Sequence, residues 1–491
     1  MPVKSSNLST VKRQWGILIP MLFCSCITET PLPPTPTLDL PENWQSAPTE
    51  NNNQTKQSAF SFPISDFQST VIPELVDEAL KNNPILLSIE VLTEVGLAQL
   101  SARRSQRRPQ LQGRFQNSRQ KYNLGTNPAF RRFSSGSTFI SNHFAADIIL
   151  NWEIDLWGRL KNLENASDAD YQASLSDLES ARLSIAAQTA RAWCALTTAS
   201  LRIKLATQTV ESYEANLQII QDRFRQGLAT ALDLRLTQAS LTSAQAILEN
   251  ESRQEANGRR ALEILLARYP SGKAAPGKSL PKLESNIPSG IPIQLLDRRP
   301  DIRAAHQRLK AAGFREKEAG KGFLPRIGLT GSTGTASQNL RDLTESSFSS
   351  WNLLGNLTQP IFNQGQIRSH MKVKKAMRTK AVADYKASLL NALREVEDAL
   401  DAEGSLAREE IALHQAAIEF AEAETLAWDR YRQGLVDIIT ALEAQRRANE
   451  ARSRELSIQA KRIYNRIQLH LALGTPIATS IIQEKSTPVL Q

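Results

Sequence analysis

The sequence predicts a mainly α-helical chain carrying membrane-type β-strands, built as two tandem copies of one unit. Three observations carry that prediction. The hexapeptide Arg223-Phe224-Arg225-Gln226-Gly227-Leu228 returns as Arg430-Tyr431-Arg432-Gln433-Gly434-Leu435, an offset of 207. Each copy holds a stretch of more than 100 residues without proline, 159–269 and 361–475. Short segments of alternating apolar and polar residues lie just before each of these stretches.

The duplication extends well beyond the hexapeptide. At the same offset, without a gap, Gly158 matches Gly365, Leu183 matches Leu390, Ala192 matches Ala399 and Gln238 matches Gln445. Leu262 and Leu266 likewise fall on Leu469 and Leu473. Upstream the offset becomes 216, placing Asn82-Asn83-Pro84 on Arg298-Arg299-Pro300 and Arg108-Pro109 on Leu324-Pro325. An ordered series of this kind is a structural repeat, not chance. It divides the chain into repeat 1 at 71–270, a linker at 271–290, repeat 2 at 291–476 and a tail at 477–491.

Each copy opens with a helix, about 84–107 and 300–321, with proline in its first turn. In the proline-free stretches apolar residues recur at three and four spacing, as in Leu175, Leu178, Leu183, Ile185 and Ala186. Gly227 and Gly434 interrupt the stretches near their middles, and glycine is a common helix stop. A helix from Arg159 to Gln226 would be about 100 Å long. That exceeds any globular core and suits a coiled-coil wall.

Between the helices, Trp152, Ile154 and Leu156 alternate with Glu153 and Asp155, and Trp351, Leu353 and Leu357 alternate with polar or small residues. Their partners, 111–118 and 327–337, are small, polar and glycine-rich. A soluble hairpin and a membrane strand share this period of two. Strand number separates them. Four strands cannot close a barrel, open edges are excluded from lipid, and the smallest membrane barrels need about eight strands. Either the strands are soluble or several chains share one barrel, and three chains would supply twelve.

Composition narrows the function. Apolar (41 %) and charged (22 %) contents are those of a folded protein. No run of about 18 apolar residues is present, so no membrane-crossing helix is expected. The formal charge is +9, of which Lys4, Lys12 and Arg13 belong to the leader, leaving +6. The remaining cations are interspersed with acids along helices, with no aromatic-interleaved patch, so nucleic acid is not an expected partner. Five scattered histidines show no metal-ligand spacing, and neither a phosphate loop nor a G-x-S-x-G elbow occurs. The expectation is a non-enzyme with no metal and no cofactor. Cys194 reads as a small packing residue.

Residues 1–25 read as an export signal: three cations, then a short apolar core from Trp15 to Cys24. The end, Leu22-Phe23-Cys24-Ser25-Cys26, resembles a lipobox, with Cys26 as the lipidated residue and Phe23 departing from the usual leucine. A proline-rich tether, 26–70, follows. The alternative is a plain secretory signal with incidental cysteines.

The run Trp152-Glu153-Ile154-Asp155-Leu156-Trp157-Gly158-Arg159 closely resembles the strand-to-helix junction of TolC-like outer-membrane lipoproteins of the OprM/NodT type. Leu296-Asp297-Arg298-Arg299-Pro300-Asp301-Ile302-Arg303, Gln359-Pro360-Ile361-Phe362 and Ala444-Gln445-Arg446 are similar to that family as well. The resemblance implies a homotrimer with a twelve-stranded barrel in outer-membrane lipid, continued by a twelve-helix tunnel across the periplasm. It further implies a periplasmic adaptor and an inner-membrane pump of the proton-driven RND type as partners, exporting drugs, metals or other small toxic molecules. By that pattern the adaptor-contacting tips are Gln226, Gly227 and Leu228 with Gln433, Gly434 and Leu435. The gate maps to Glu443, Thr440 and Asp233. Glu443 would narrow the mouth as a ring of like charges with raised pKa, or else pair with Arg446 or Arg447 on the helix surface. An outlet for type I protein secretion and a non-conducting periplasmic coiled-coil scaffold are the rival functions.

Overall fold

The computed structural model describes residues 44, 67, 69, 71–123, 138–283 and 298–475. The export signal, Cys26, nearly all of the tether, linker residues 284–290, the first residues of repeat 2 and the tail lie outside the described residues. Repeat 1 comprises α1 (Val71–Asn82), α2 (Pro84–Ser105), β1 (Gln110–Asn123), β2 (Thr138–Ile154), α3 (Arg159–Arg225) and α4 (Ala231–Leu265). Repeat 2 comprises α5 (Pro300–Gly320), β3 (Arg326–Ser337), β4 (Ser349–Thr358), α6 (Gln366–Arg432) and α7 (Ile438–Ala472).

The two 67-residue helices, α3 and α6, run the length of the wall, about 100 Å. Shorter helices stack end to end beside them. α2 and α5 pack on the upper parts of α3 and α6, and α4 and α7 on the lower parts. Each chain therefore supplies four columns: α2 with α4, α3, α5 with α7, and α6.

The stacked columns are spliced by equivalent residues. Asn83 caps α2 by accepting from the Ile85 and Leu86 amides, and its amide nitrogen donates to the Leu265 carbonyl at 2.9 Å. Arg299, its counterpart, donates to the Ala472 carbonyl at 3.2 Å and to Glu395 at 2.6 Å. Leu265 and Ala472 are the last residues of their helices, where carbonyls lack intrahelical partners. Here the Arg-Arg-Pro-Asp motif acquires its physical meaning. Burial alone would push the Asp301 carboxyl up, but the Arg299 hydrogen bonds and charge outweigh that and hold it below the usual carboxylate range. Arg303–Glu179, Arg308–Asp177 and Arg315–Asp170 then staple α5 along α3.

The strands form one antiparallel sheet in the order β1-β2-β3-β4. Its register sorts the side chains onto two unlike faces. Rows Leu111–Leu150–Gly331–Leu353, Gly113–Ile148–Thr333–Trp351, Trp152–Leu329–Gly355 and Ile154–Ile327–Leu357 share the apolar face. The other face carries Gln112, Asn352, Ser332, Thr330, Asn356 and an Arg114–Asp147 ion pair. From Phe144 to Ile154 the apolar band spans about 33 Å of strand. Tilted as barrel strands are, that becomes about 25 Å, the height of an outer-membrane apolar belt. Trp152 lies at the lower edge of the band, its indole nitrogen donating to the Arg107 carbonyl at 2.9 Å.

The structure differs from the sequence reading in three places. β2 begins at Thr138, 14 residues before the alternation noted at Trp152, because Ile148-Ile149-Leu150 and Ala145-Ala146 put apolar groups on both faces. α1, absent from the sequence reading, covers one side of α3 through Ile72, Val76 and Ala79. α2 corrects the expectation that no helix could cross a membrane: its 22 residues are long and apolar enough by composition. It contains Glu90 and Glu94 and is spliced to α4, so it is a wall helix whose exposed Ile85, Leu87, Val91 and Leu92 face away from its own chain.

The repeats have also diverged in one turn. α7 ends on Gly474 in the left-handed region (φ 67), whereas α4 ends on Ala267 there (φ 57). A Cβ in that conformation costs about 1–2 kcal/mol, partly offset by the entropy a glycine would lose. Ala267→Gly should therefore raise stability by up to about 1 kcal/mol, read as a higher thermal midpoint of the purified protein.

Candidate functional site

At the lower end the two hairpins close with the same geometry. Gly227 (φ 75) and Gly434 (φ 76) take the left-handed conformation. The Leu228 amide bonds back to the Arg223 carbonyl at 2.8 Å, and the Leu435 amide to Arg430 at 2.9 Å. Each is a Schellman stop, closed by a glycine because the position needs positive φ. Leu228 and Leu435 project from the turns as exposed apolar side chains. The hairpins are packed together by Tyr213, Leu217, Ile220 and Leu241 against Trp428, Tyr431, Ile438 and Leu442. Arg223 ties them further, donating to the Arg432 carbonyl at 3.1 Å with its guanidinium 5.0 Å from the Tyr431 ring centre. All six sequence-assigned tip residues thus stand at one end of the molecule.

The three residues that the resemblance maps to a gate divide. Asp233 sits at the third position of α4 in a capping box: its carboxylate accepts from the Thr230 amide at 2.8 Å, and the Thr230 hydroxyl accepts from the Asp233 amide at 3.2 Å. Thr440 is its repeat counterpart, and there the residues are exchanged. Asp437 is the cap and accepts from both the amide and the hydroxyl of Thr440. Glu443 stands one turn further along α7 and is held by two guanidiniums, Arg446 at 2.8 Å and Arg447 at 2.7 Å. Hydrogen bonds from Arg446, then Arg447, bring its carboxyl down to about 2, the reverse of the rise expected for a bare acid ring. Gln445, fully buried beside this cluster, accepts from Asn216 at 3.1 Å and donates to Ser212 at 2.8 Å, locking α7 onto α3.

At the upper end the Trp-Glu-Ile-Asp-Leu-Trp-Gly-Arg run makes the join between sheet and helix. Asp155 accepts from the Leu160 and Lys161 amides at 3.0 and 2.7 Å, capping α3. Trp157 donates to the Pro325 carbonyl at 2.8 Å, fastening repeat 1 to the strand start of repeat 2. Arg159 bridges Glu153 and Glu318. Among the described residues no group of acids, histidines and cysteines is arranged to hold a metal. Cys194 is buried, its thiol pushed up to about 12 by desolvation, which makes it unreactive.

The cap roles of Asp233 and Thr440 and the splice roles of Asn83 and Arg299 were not part of the sequence reading. The Thr-x-x-Asp spacing at 230–233 is a visible capping signal; the splice partners are not visible, lying 182 and 173 residues away.

Comparison with known proteins agrees with this architecture. The sequence profile described as "Outer membrane efflux protein" matches residues 75–268 and 291–475. The chain is 33 % identical to the outer membrane protein OprJ of Pseudomonas aeruginosa over 437 residues, covering 88 % of this chain and 89 % of that one. It is 29 % identical to the toluene efflux pump outer membrane protein TtgI of Pseudomonas putida, covering 83 % and 86 %. The cation efflux system protein CusC of Escherichia coli is 27 % identical, covering 83 % and 87 %. Among solved structures, a membrane protein of P. aeruginosa superposes with a TM-score of 0.82 at 31 % identity, covering 90 % of this chain and 98 % of that one. The CmeC outer membrane channel of Campylobacter jejuni follows with a TM-score of 0.80 at 26 % identity, covering 90 % and 94 %. With both repeats matched and the fold shared end to end, this chain belongs to the outer membrane efflux protein family and is an outer-membrane channel.

Proposed function

We propose that three copies of this chain form the outer-membrane duct of a tripartite efflux assembly, receiving small molecules from an inner-membrane pump through a periplasmic adaptor. The observation that carries this reading is the unclosed wall: among the described residues, four strands and four columns with free edges on both sides. β1 and β4 end the sheet, exposed Ile85, Leu87 and Val91 edge α2, and exposed Val373 and Met377 edge α6. Lipid excludes open strand edges, so the edges must meet other copies, and twelve strands close a barrel. The names of TtgI and CusC, toluene and cation efflux proteins, support small organic solutes or metal ions as cargo.

Cys26 as a lipid anchor adds a second hold on the membrane. Native mass spectrometry of the protein extracted in detergent should give three chains, each heavier by its acyl groups, and the same sample should form pores in planar bilayers. A monomer that stays folded without detergent would rule the duct out.

At the lower end Leu228 and Leu435, carried on Gln226-Gly227 and Gln433-Gly434, serve as the adaptor contacts. Asp233 and Thr440 hold the helix starts in shape at the mouth, and Glu443 sets its charge. Because Glu443 neutralises Arg447 and shares Arg446 with Glu450, its removal leaves the Arg447 charge uncompensated in each chain. Glu443→Gln should therefore make the pore less cation-selective, seen as a shifted reversal potential in a salt gradient. A carboxyl lowered to about 2 stays charged as pH falls past the ordinary carboxylate range, and its charge is lost only near that value. Wild-type selectivity should accordingly stay flat from pH 7 to about pH 4. A crowded ring of unpaired acids would instead titrate above the ordinary value and lose cation selectivity inside that window.

A further inference from the structure

The first four turns of α6 carry six cations, Arg368, Lys372, Lys374, Lys375, Arg378 and Lys380, and no acid. The matching turns of α3 carry Arg159 and Lys161 with Glu164, Asp168 and Asp170, so the fold itself does not demand the basic run. It also opposes the helix macrodipole, whose positive end is there. Arg378 pairs with Glu316 of α5, and Lys380 with Asp384. Arg368, Lys372 and Lys375 have a different setting. Spaced i, i+4 and i+7, they form one exposed stripe turned away from the α5 contact, and none has a carboxylate within ion-pair distance among the described residues.

The stripe points out of the wall. Further along the same helical face, the repeat-1 counterparts are Ala186 and Ala190, which lie buried under α1. Three copies of α1 inside the bore would block it, so that face is the outer one. The level is fixed by the sheet. β4 ends at Thr358, and the link to α6 exposes two large apolar side chains, Ile361 at 97 % and Phe362 at 84 %. Counting from the start of α6, Lys375 lies only about 14 Å down the axis. The polar headgroup layer is about 5–8 Å deep and charge is felt about 8 Å beyond it. Exposed apolar groups in the link just before a basic stripe are the pattern of a surface that seats on anionic lipid.

We propose that Arg368, Lys372 and Lys375, beneath the Ile361–Phe362 ledge, bind anionic phospholipid headgroups on the periplasmic side of the outer membrane. The inference rests on the membrane-channel reading above. Nine such cations would ring the trimer at the height where the barrel meets the tunnel, fixing its depth in the bilayer.

The test uses the full-length trimer in detergent, titrated with phosphatidylglycerol or with phosphatidylethanolamine and followed by native mass spectrometry. Wild type should take up phosphatidylglycerol in preference, and should release it as salt rises toward about 1 M, where the screening length falls to about 3 Å. The triple variant Arg368→Gln/Lys372→Gln/Lys375→Gln exchanges polar for polar on an exposed face and should still form trimers. Its affinity for phosphatidylglycerol should fall about 100-fold, at about fivefold for each charge. Phe362→Ser should weaken uptake of both lipids. Equal phosphatidylglycerol binding by wild type and the triple variant overturns the lipid site. So does a changed ion selectivity in planar bilayers with lipid uptake unaltered, because the stripe would then line the bore. Pore formation by these same trimers is independent of the lipid titration, so an intact pore with no lipid preference sinks the lipid site alone and leaves the channel reading standing.

Discussion

Replacing Glu403 with alanine should destabilise the assembled protein by about 3–5 kcal/mol, the cost of breaking a buried ion pair by removing one member. Glu403 is 1 % exposed and accepts from Arg466, itself fully buried, at 2.8 Å. It also accepts from Arg462 at 3.2 Å and from the Asn465 amide at 3.2 Å. This cluster fastens α6 to α7, with Glu403 and Arg466 both shut off from solvent. The matching position in repeat 1 is Leu196, also fully buried, so the same wall can be built there with an apolar residue. The double variant Glu403→Leu/Arg466→Met should therefore recover most of what Glu403→Ala loses, since well-packed apolar residues can replace a buried pair at little cost. Thermal midpoints of the trimer in detergent, with trimer yield, read both. If Glu403→Ala melts like wild type, the pair contributes nothing to holding the hairpin.

Ile148→Arg should prevent or severely weaken assembly. Ile148 lies near the middle of the apolar band, level with Gly113, Thr333 and Trp351. An arginine at the bilayer midplane costs a barrel about 2–4 kcal/mol per site, and a trimer carries the site three times. Asn352→Arg is the control: Asn352 pairs with Ser332 on the polar face, so trimers should form normally and only conductance should change. Trp152→Arg should be milder than Ile148→Arg, because Trp152 lies at the band's lower edge beside the Arg107 carbonyl. Equal trimer yields from Ile148→Arg and Asn352→Arg would show that the sheet is not read by lipid in this register.

Much of this architecture is legible in the residues because two independent periodicities had to be kept. Helices that span the wall without a globular core need uninterrupted three-four spacing, and duplication wrote that spacing twice. The turn glycines are legible for a similar reason: positive φ at Gly227 and Gly434 leaves few other choices. Long-range chemistry is another matter. Nothing near Asn83 or Arg299 reveals that each reaches a helix terminus in the distant end of its repeat. Glu443 is an intermediate case. The resemblance maps it to the mouth, while Arg446 and Arg447, three and four residues on, offer the surface pairing that the structure contains.

The Asn83 and Arg299 splices have a mechanical consequence. Within each chain an unbroken 67-residue strut alternates with a column cut partway and rejoined by hydrogen bonds from a single side chain. Bending a continuous helix strains every backbone bond along it, whereas a butt joint yields by lengthening one or two contacts. Such a tube behaves like a stave cask with every second stave hinged. Its lower half can twist or dilate while the upper half, clamped by the sheet junction at Asp155 and Trp157, keeps its bore.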